Sequence, residues 1–231
     1  MHRFFVKKEI PDSGIFILES EAIAHQLSRV LKIKRGEDVV FFNGGGFDVV
    51  TKIDKISSRY VSGKITRRIQ NSKDPSCEVH LYSALIKKDK FDWVLEKGTE
   101  LGVKFFHPLL SERSVKTGVN LDRALRVVKE ATEQSGQDRI PEVLESMKFP
   151  DAVDRAPEGE TRILFDPNGE PLSLKKEDMK RVHVFIGPEG GFSEKEREYA
   201  KNHGFSIASL APRILRSETA AVLATGLILT L

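Results

Sequence analysis

Past residue 76 the hydrophobic pattern changes period, and that change fixes most of what the chain can fold into. Short runs rich in β-branched and aromatic residues, Val79 to Ile86, Lys104 to Leu110, Arg162 to Phe165, Arg181 to Ile186 and Phe205 to Leu210, alternate with helical stretches. Phe91, Val94, Leu95 and Leu101 lie along one side of a helix that ends at Gly102, with Trp93 joining Phe91 in the core. A second helix, Leu121 to Gln134, turns Leu125 and Val128 inward, and Ala220 to Leu231 forms a last, apolar one. Ser193 and Glu196 have capping-box spacing, so a helix starts at Glu194 and runs to Gly204. Strands alternating with helices imply an α/β domain with a mainly parallel sheet covered by helices. An ordinary doubly wound sheet is the physical expectation, because true knots are nearly absent from folds.

The first seventy residues read differently. Short strand-like pieces (RFFV, GIFIL, DVVFF, FDVVTKI, YVSGKITRRI) surround one helix, Glu21 to Leu31, with Ile23, Leu27, Val30 and Leu31 on a shared face. Asn43 to Gly46 makes a hairpin turn, and closely spaced turns point to a small barrel. The polar, proline-broken Gln70 to Ser76 is a domain linker, giving 1–70, 71–76 and 77–231 as barrel, linker and sheet domain.

The 39% hydrophobic fraction supports real cores. The lone Cys77 excludes an intramolecular disulfide and a thiolate metal cluster. Neither a membrane span nor an export signal is visible, which makes a cytoplasmic location the default. The net charge of +3 is uneven, with 14 Lys and Arg against 9 Asp and Glu in residues 1–75, and 23 against 25 in the remainder. Clusters such as Lys32, Lys34 and Arg35, or Lys64, Arg67 and Arg68, suit either nucleic-acid phosphates or a solvated face.

Three strands end in loops with unusual chemistry: "LFDPNGE", "IGPEGG" and "LAPRILRSETAA". In a parallel sheet the carboxyl ends of neighbouring strands sit together, so these loops meet in one pocket. "GPEGG" lacks both the phosphate-loop and the dinucleotide spacing, and Glu189 repels a phosphate beside it, which leaves a different ligand or a tight turn with none.

"IGPEGGFSEKE" and "APRILRSETAA" closely resemble the RsmE family of ribosomal RNA methyltransferases. The likeness extends to "HQLSRVLKIKRGEDV", "KKDKFDWVLEKGTELGV", "LLSERSV" and "EATEQSGQDRIPEV", and so covers nearly the whole chain. It implies a PUA-like N-terminal barrel, a SPOUT-class α/β domain with a deep trefoil knot, and methyl transfer from S-adenosyl-L-methionine to N3 of a uridine in small-subunit (16S) rRNA. The implied cofactor residues are Leu164, Phe165, Asp166, Gly187, Pro188, Glu189, Gly190, Gly191, Leu210, Ala211, Ile214, Leu215, Arg216, Ser217, Thr219 and Ala220. Those implied for RNA are Arg3, Arg29, Lys32, Lys34, Arg35, Arg113 and Arg139. The 16S rRNA, within the small ribosomal subunit, and a second copy of the chain in a homodimer are the implied partners, with no membrane and no metal. Two positions depart from the family: Gln137 stands where arginine is usual, and Ala211 where glycine is common.

Methylating N3 requires loss of its proton, with negative charge spread onto O2 and O4, so a cation belongs nearby. Arg216 is the first choice and Arg213 the second, the alternative being ion pairs with Glu189 or Glu218. Glu189 is either the proton acceptor or, preferably, a brace for its loop. His25 and His107 lack partners at ligand spacing and read as packing or RNA-contact residues. Ser217 and Thr219 open the last helix as caps. The competing readings are an RNA-binding assembly factor without chemistry and an enzyme using a phosphorylated nucleotide.

Overall fold

The computed structural model describes residues 1–71, 75–115, 118–173 and 179–230. It divides into two compact units, 1–74 with 132–139, and 75–131 with 140–231. Residues 72–74 of the expected linker, and Leu231, lie outside the described residues.

The first unit is a five-stranded sheet of order β1-β3-β4-β5-β2, from Arg3–Phe5 (β1), Ile15–Glu19 (β2), Asp38–Phe42 (β3), Phe47–Ile56 (β4) and Tyr60–Gln70 (β5). Its pairs are antiparallel except β1 with β3. Phe4, Phe16, Phe41, Val49 and Val61 fill its core, as period-2 alternation requires. Helix α1 (Glu21–His25) is capped by Ser20, whose side chain accepts from the Ile23 amide. The expected helix towards Leu31 is continuous through Val30 but changes type after His25. Residues Gln26–Val30 make a π-helical turn in which the Leu31 amide donates to the Gln26 carbonyl. The wider turn moves Val30 off the shared face, to 63% exposure, while Ile23 and Leu27 stay buried. Lys32 follows at φ 54°, in the left-handed region.

Residues 132–139 complete this unit. The Arg3 guanidinium donates to Asp48 and to the Thr132 carbonyl, the Phe5 amide to Glu133, the Gly46 amide to Asp138, and the Asn71 side chain to the Gly136 carbonyl.

The second unit holds a seven-stranded sheet, ordered β12-β10-β11-β6-β7-β8 with β9 also on β7, and every pair is parallel. The strands are Glu78–Ala84 (β6), Phe105–Leu110 (β7), Glu142–Val143 (β8), Met147–Lys148 (β9), Thr161–Pro171 (β10), Arg181–Ile186 (β11) and Ser206–Ser209 (β12). Helices α2 (Lys88–Leu101), α3 (Leu121–Ser135) and α6 (Ser217–Thr230) supply one face's core with Val94, Leu95, Val128, Ala221 and Ala224. Helices α4 (Phe149–Arg155) and α5 (Glu194–Asn202) cover the other with Phe149, Val153 and Ala200. Val184 and Ile186 face the first core and Phe185 the second, which is why β11 reads as a continuous apolar run.

Two side chains expected inside are not. Leu125 is 47% exposed, because the buried stripe of α3 runs through Ala124, Val128 and Ala131, and Trp93 is 39% exposed beside buried Val94 and Leu95. Helix α2 ends as expected, with Gly102 at φ 109°. Among the described residues no helix is long and apolar enough to cross a membrane.

Candidate cofactor site

The expected turn at Asp166 to Gly169 does not end its strand but interrupts it. Phe165 and Glu170 both pair with Ala208 of β12, so residues 166–169 leave the ladder and return. Asp166, only 5% exposed, shapes this excursion: one carboxylate oxygen accepts from the Asn168 amide at 2.9 Å, and the other faces Arg197 Nη1 at 3.3 Å.

The loop after β11 comes next. Gly191 has φ +66°, and its amide donates to the Pro188 carbonyl. Ser193 caps α5, accepting from the Glu196 amide, while one Glu196 oxygen accepts from the Ser193 amide and the other from the Glu112 amide at 2.9 Å. Glu196 thereby fixes two loops at once. Glu196→Ala orphans the buried Ser193 amide and frees the more exposed Glu112 amide to water, so it should cost about 1–3 kcal/mol for the buried donor, read as a lower midpoint in urea denaturation; an unchanged midpoint would remove the clamp.

The third loop closes over these two. The Ser217 hydroxyl donates to the Gly187 carbonyl at 2.6 Å, so its bond joins two loops rather than capping α6. The Ala220 amide takes the Arg216 carbonyl, which starts the helix there.

The three loops enclose one cavity. Its walls include Phe165, Asp166, Gly187, Pro188, Glu189 and Gly191 from the first two, and Leu210, Ala211, Ile214, Leu215, Ser217 and Ala220 from the third. Pro167, Ile186 and Arg213 also line it. Leu164, Gly190, Arg216 and Thr219 do not, for local reasons. Leu164 alternates with Phe165 and faces the other core. Ser217 and Ala220, three apart, share a helical face that Thr219 leaves, and Arg216 and Thr219 are exposed. A Cβ on Gly190 would meet the Arg113 side chain at 3.3 Å, whereas one on Gly187 would meet Phe192 at 3.2 Å, its backbone nitrogen included. Ala211 keeps ordinary backbone geometry, since Lys32 is the positive-φ residue other than glycine among the described ones.

The glutamates find a lysine and not the arginines. Lys90, in the first turn of α2, lies 3.7 Å from Glu189 and 3.2 Å from Glu218, whose second oxygen is buried without a partner. No sequence signal marked Lys90, because a lysine at a helix start reads as solvated.

Of the basic residues expected to hold RNA, Arg29, Lys32, Lys34, Arg35, Arg113 and Arg139 are exposed. Arg35 pairs with Asp54 at 2.7 Å, and Arg113 Nη1 donates to the Gly190 carbonyl at 2.7 Å. Arg3 is enclosed: its side chain is 8% exposed, bonded to Asp48 and 3.6 Å over the Phe42 ring.

Away from the cavity, three histidines stack in the sheet. His80 lies 4.6 Å from His183, and His107 4.0 Å from Tyr82. His183 Nε2 faces Glu160 at 2.6 Å, His80 Nε2 faces Glu78 at 3.1 Å, and His80 Nδ1 faces His107 Nε2 at 3.1 Å. Ionised carboxylates only accept, so both Nε2 atoms carry protons, His80 Nδ1 accepts, and His107 donates to it. Nδ1 of His107 and of His183 are left buried with no partner. Burial first, then His80, Arg155 and His183, pushes His107 down to about 3, and burial also lowers His80 and His183. Against its own burial, bonds from Lys104, His80 and Arg181 hold Glu78 at about 2, and His183 and Arg181 lower Glu160. His107 is thus a packing residue, while His25 is exposed on α1.

A family model described as an RNA methyltransferase domain matches residues 72–229, which places the sheet unit in that class. Proteins named ribosomal RNA small subunit methyltransferase E are similar along the whole chain: that of Aquifex aeolicus is 30% identical over 96% of both chains, and that of Bacillus subtilis 28% over 99% of this chain and 96% of its own. The solved Neisseria gonorrhoeae enzyme of that name, bound to S-adenosyl methionine, superposes with a TM-score of 0.92 at 27% identity, over 100% of this chain and 97% of its own. The chain belongs to the ribosomal RNA small subunit methyltransferase E family.

Proposed function

We propose that the chain transfers a methyl group from S-adenosyl-L-methionine to N3 of a uridine in small-subunit (16S) ribosomal RNA. The carrying observation is the cavity at the carboxyl ends of three adjacent parallel strands, together with similar solved structures, the Neisseria gonorrhoeae enzyme and a putative methyltransferase of Legionella pneumophila (28% identical, TM-score 0.88, over 98% of this chain and 96% of its own), that are described with that cofactor. Its walls fit the group. Gly187 and Gly191 line it with backbone that carries no side chain, and Phe165, Leu215 and Ala220 offer apolar surface. Arg213 is the one cationic side chain among the wall residues described, which suits a nucleoside sulfonium better than a polyphosphate.

Bound there, S-adenosylmethionine supplies a methyl group activated by its sulfonium. The residues of this chain do the remainder. Ser217 fixes the Gly187 carbonyl and hence the mouth of the loop, and the apolar walls exclude water. Arg216 or Arg213 offsets the negative charge that reaches uracil O2 and O4 as N3 loses its proton. Glu189, paired with Lys90, serves as a brace in preference to a base. The mass-mapped rRNA of cells lacking this protein tests the reading: one methyluridine should be missing, and a complete set of methyluridines would overturn it.

The finer architecture we read as a PUA-like barrel joined to a SPOUT domain with a deep trefoil knot. Family membership supports it, as does a strand order that sets β11 between β10 and β6. Leu223 and Leu227, partly exposed on α6, support a homodimer, and an rRNA substrate favours the cytoplasm. Exposed Arg29, Lys32, Lys34, Arg35, Arg113 and Arg139 hold RNA through its backbone; Arg3 joins them only if its pair with Asp48 opens. Neutralising Arg29, Lys32, Lys34 and Arg35 should weaken RNA binding and flatten its logarithmic salt slope by about 0.7–0.9 for each phosphate left without its cation. A filter-binding slope equal to the parent's would refute that surface.

A further inference from the structure

A second cavity opens in the sheet unit, walled by Leu85 and Ile86 after β6, Phe91 and Asp92 of α2, and Asn120 and Arg123 at the start of α3. It lies at the same edge of the sheet as the cofactor cavity. In the β6–β11 register Ser83 pairs with Ile186, so two residues further on Leu85 stands level with Pro188. Adjacent strands are about 4.8 Å apart, and Pro188 and Glu189 belong to the cofactor cavity. Helix α2 joins the two: Lys90 reaches Glu189, while the next residues, Phe91 and Asp92, line the second cavity. A methyl acceptor must come within about 3–3.5 Å of its donor, so its site has to adjoin the cofactor cavity, and this one stands a single strand away.

We infer that the second cavity takes the acceptor base, a uracil turned out of single-stranded RNA; the inference rests on the methyltransferase reading above. Leu85, Ile86 and Phe91, at most 5% exposed, give an apolar floor for a ring taken out of its stack. The rim is polar. Arg123 Nε donates to Asp92 Oδ2 at 2.6 Å and its terminal nitrogen also pairs with Asp92, while the Arg123 amide donates to Asn120 Oδ1 at 3.0 Å. A guanidinium has five N–H donors and no acceptor, so N–H groups beyond those on Asp92 can meet the ligand. Uracil brings carbonyl acceptors on both sides of N3, whereas cytosine replaces one with an amino donor. A donor held at the mouth by Asp92 therefore selects uracil over cytosine and is placed for the charge that gathers on O2 and O4. Arg123 is a substrate-binding residue in this scheme and Asp92 its positioning residue.

The test uses the full-length protein and unmethylated small-subunit rRNA, first mapping the methylated uridine and then placing 4-thiouridine there. Photo-crosslinks should fall in peptides carrying residues 85–92 or 118–123. Arg123→Met should lower kcat/KM for rRNA about 10- to 100-fold, the worth of a charged hydrogen bond, with calorimetric S-adenosylmethionine affinity unchanged. It should also narrow the preference for uridine over cytidine at the target, which a merely structural role would leave alone. Crosslinks confined to other peptides, or a variant matching the parent in kcat/KM and base preference, would overturn the inference while leaving the methyltransferase reading intact. A parent protein that neither binds the cofactor nor methylates rRNA would overturn both.

Discussion

Gly187→Val is expected to lower S-adenosylmethionine affinity about 10- to 100-fold, the effect of 1–3 kcal/mol of overpacking, while Gly190→Val changes it by no more than about threefold, as surface substitutions do. The contrast arises from what each new Cβ meets. At Gly187 it meets Phe192 Cδ2 and the Phe192 nitrogen at 3.2 Å and the Gly191 carbonyl carbon at 3.3 Å, so backbone must move, and the Ser217 bond moves with it. At Gly190 it meets the Arg113 side chain, which can swing away. Calorimetric titration of both variants, with circular dichroism to establish folding, decides it. Equal losses at the two positions would show that the loop acts as one unit and that Gly187 has no special place in it.

The second large effect is acid sensitivity. Burial lowers the folded-state pKa of His80, His107 and His183 below the ordinary value of 6.5. A group lowered in this way stabilises the fold fully above its unfolded pKa, and the contribution is lost as the pH falls below about 6.5. The hydrogen-bond chain gives the cause: a second proton on His107 or His183 goes to a buried Nδ1 with no acceptor, and one on His80 confronts the N–H of His107. Glu78 and Glu160, also lowered, add a loss of the same sign at more acid pH, from below 4.5 downwards, reaching towards 2 for Glu78. At pH 5 His107 alone should account for about 2 kcal/mol of the loss. His107→Phe keeps a ring against Tyr82 and removes the titration, so the fall in Tm between pH 7.5 and 5 should shrink by about 4–8 °C. A variant that loses as much as the parent would place the acid sensitivity elsewhere.

The sequence revealed the sheet unit well because its signals are local. The Ser193–Glu196 capping box, the left-handed Gly102 and the apolar run of β11 each depend on a few consecutive residues, and each stands where the pattern put it. Misreadings arose where a neighbour decided the outcome. A π-helical turn rotated Val30 outward, and the buried stripe of Ala124, Val128 and Ala131 left Leu125 outside. β10 continues past its own turn because β12 offers Ala208 on both sides of it. In the site, the meeting of three loops at the carboxyl ends of parallel strands was legible from the glycine- and proline-bearing turns, whereas the individual cofactor residues were implied by the family resemblance. Lys90, and the choice of Arg213 over Arg216 for the wall, were legible from neither, since each depends on a partner or a helical phase that no single segment encodes.

Because the unit that begins the chain also contains residues 132–139, its maturation during synthesis has a schedule. When residue 71 leaves the ribosome, the strands of the first sheet are present, but the acceptors for Arg3 and Asn71 at Thr132 and Gly136, and the side-chain acceptors Glu133 and Asp138 for the Phe5 and Gly46 amides, are still unmade. Domains ordinarily fold as units, N-terminal first, at about 5–20 residues per second. Here the leading unit must wait for some sixty further residues, a delay of about 3–12 s at those rates. In the interval, elements of the second unit, β6, α2 and β7 among them, emerge before the first is complete. A fragment cut at the linker would reproduce that interim state permanently, which makes the N-terminal sheet a poor candidate for transplantation on its own.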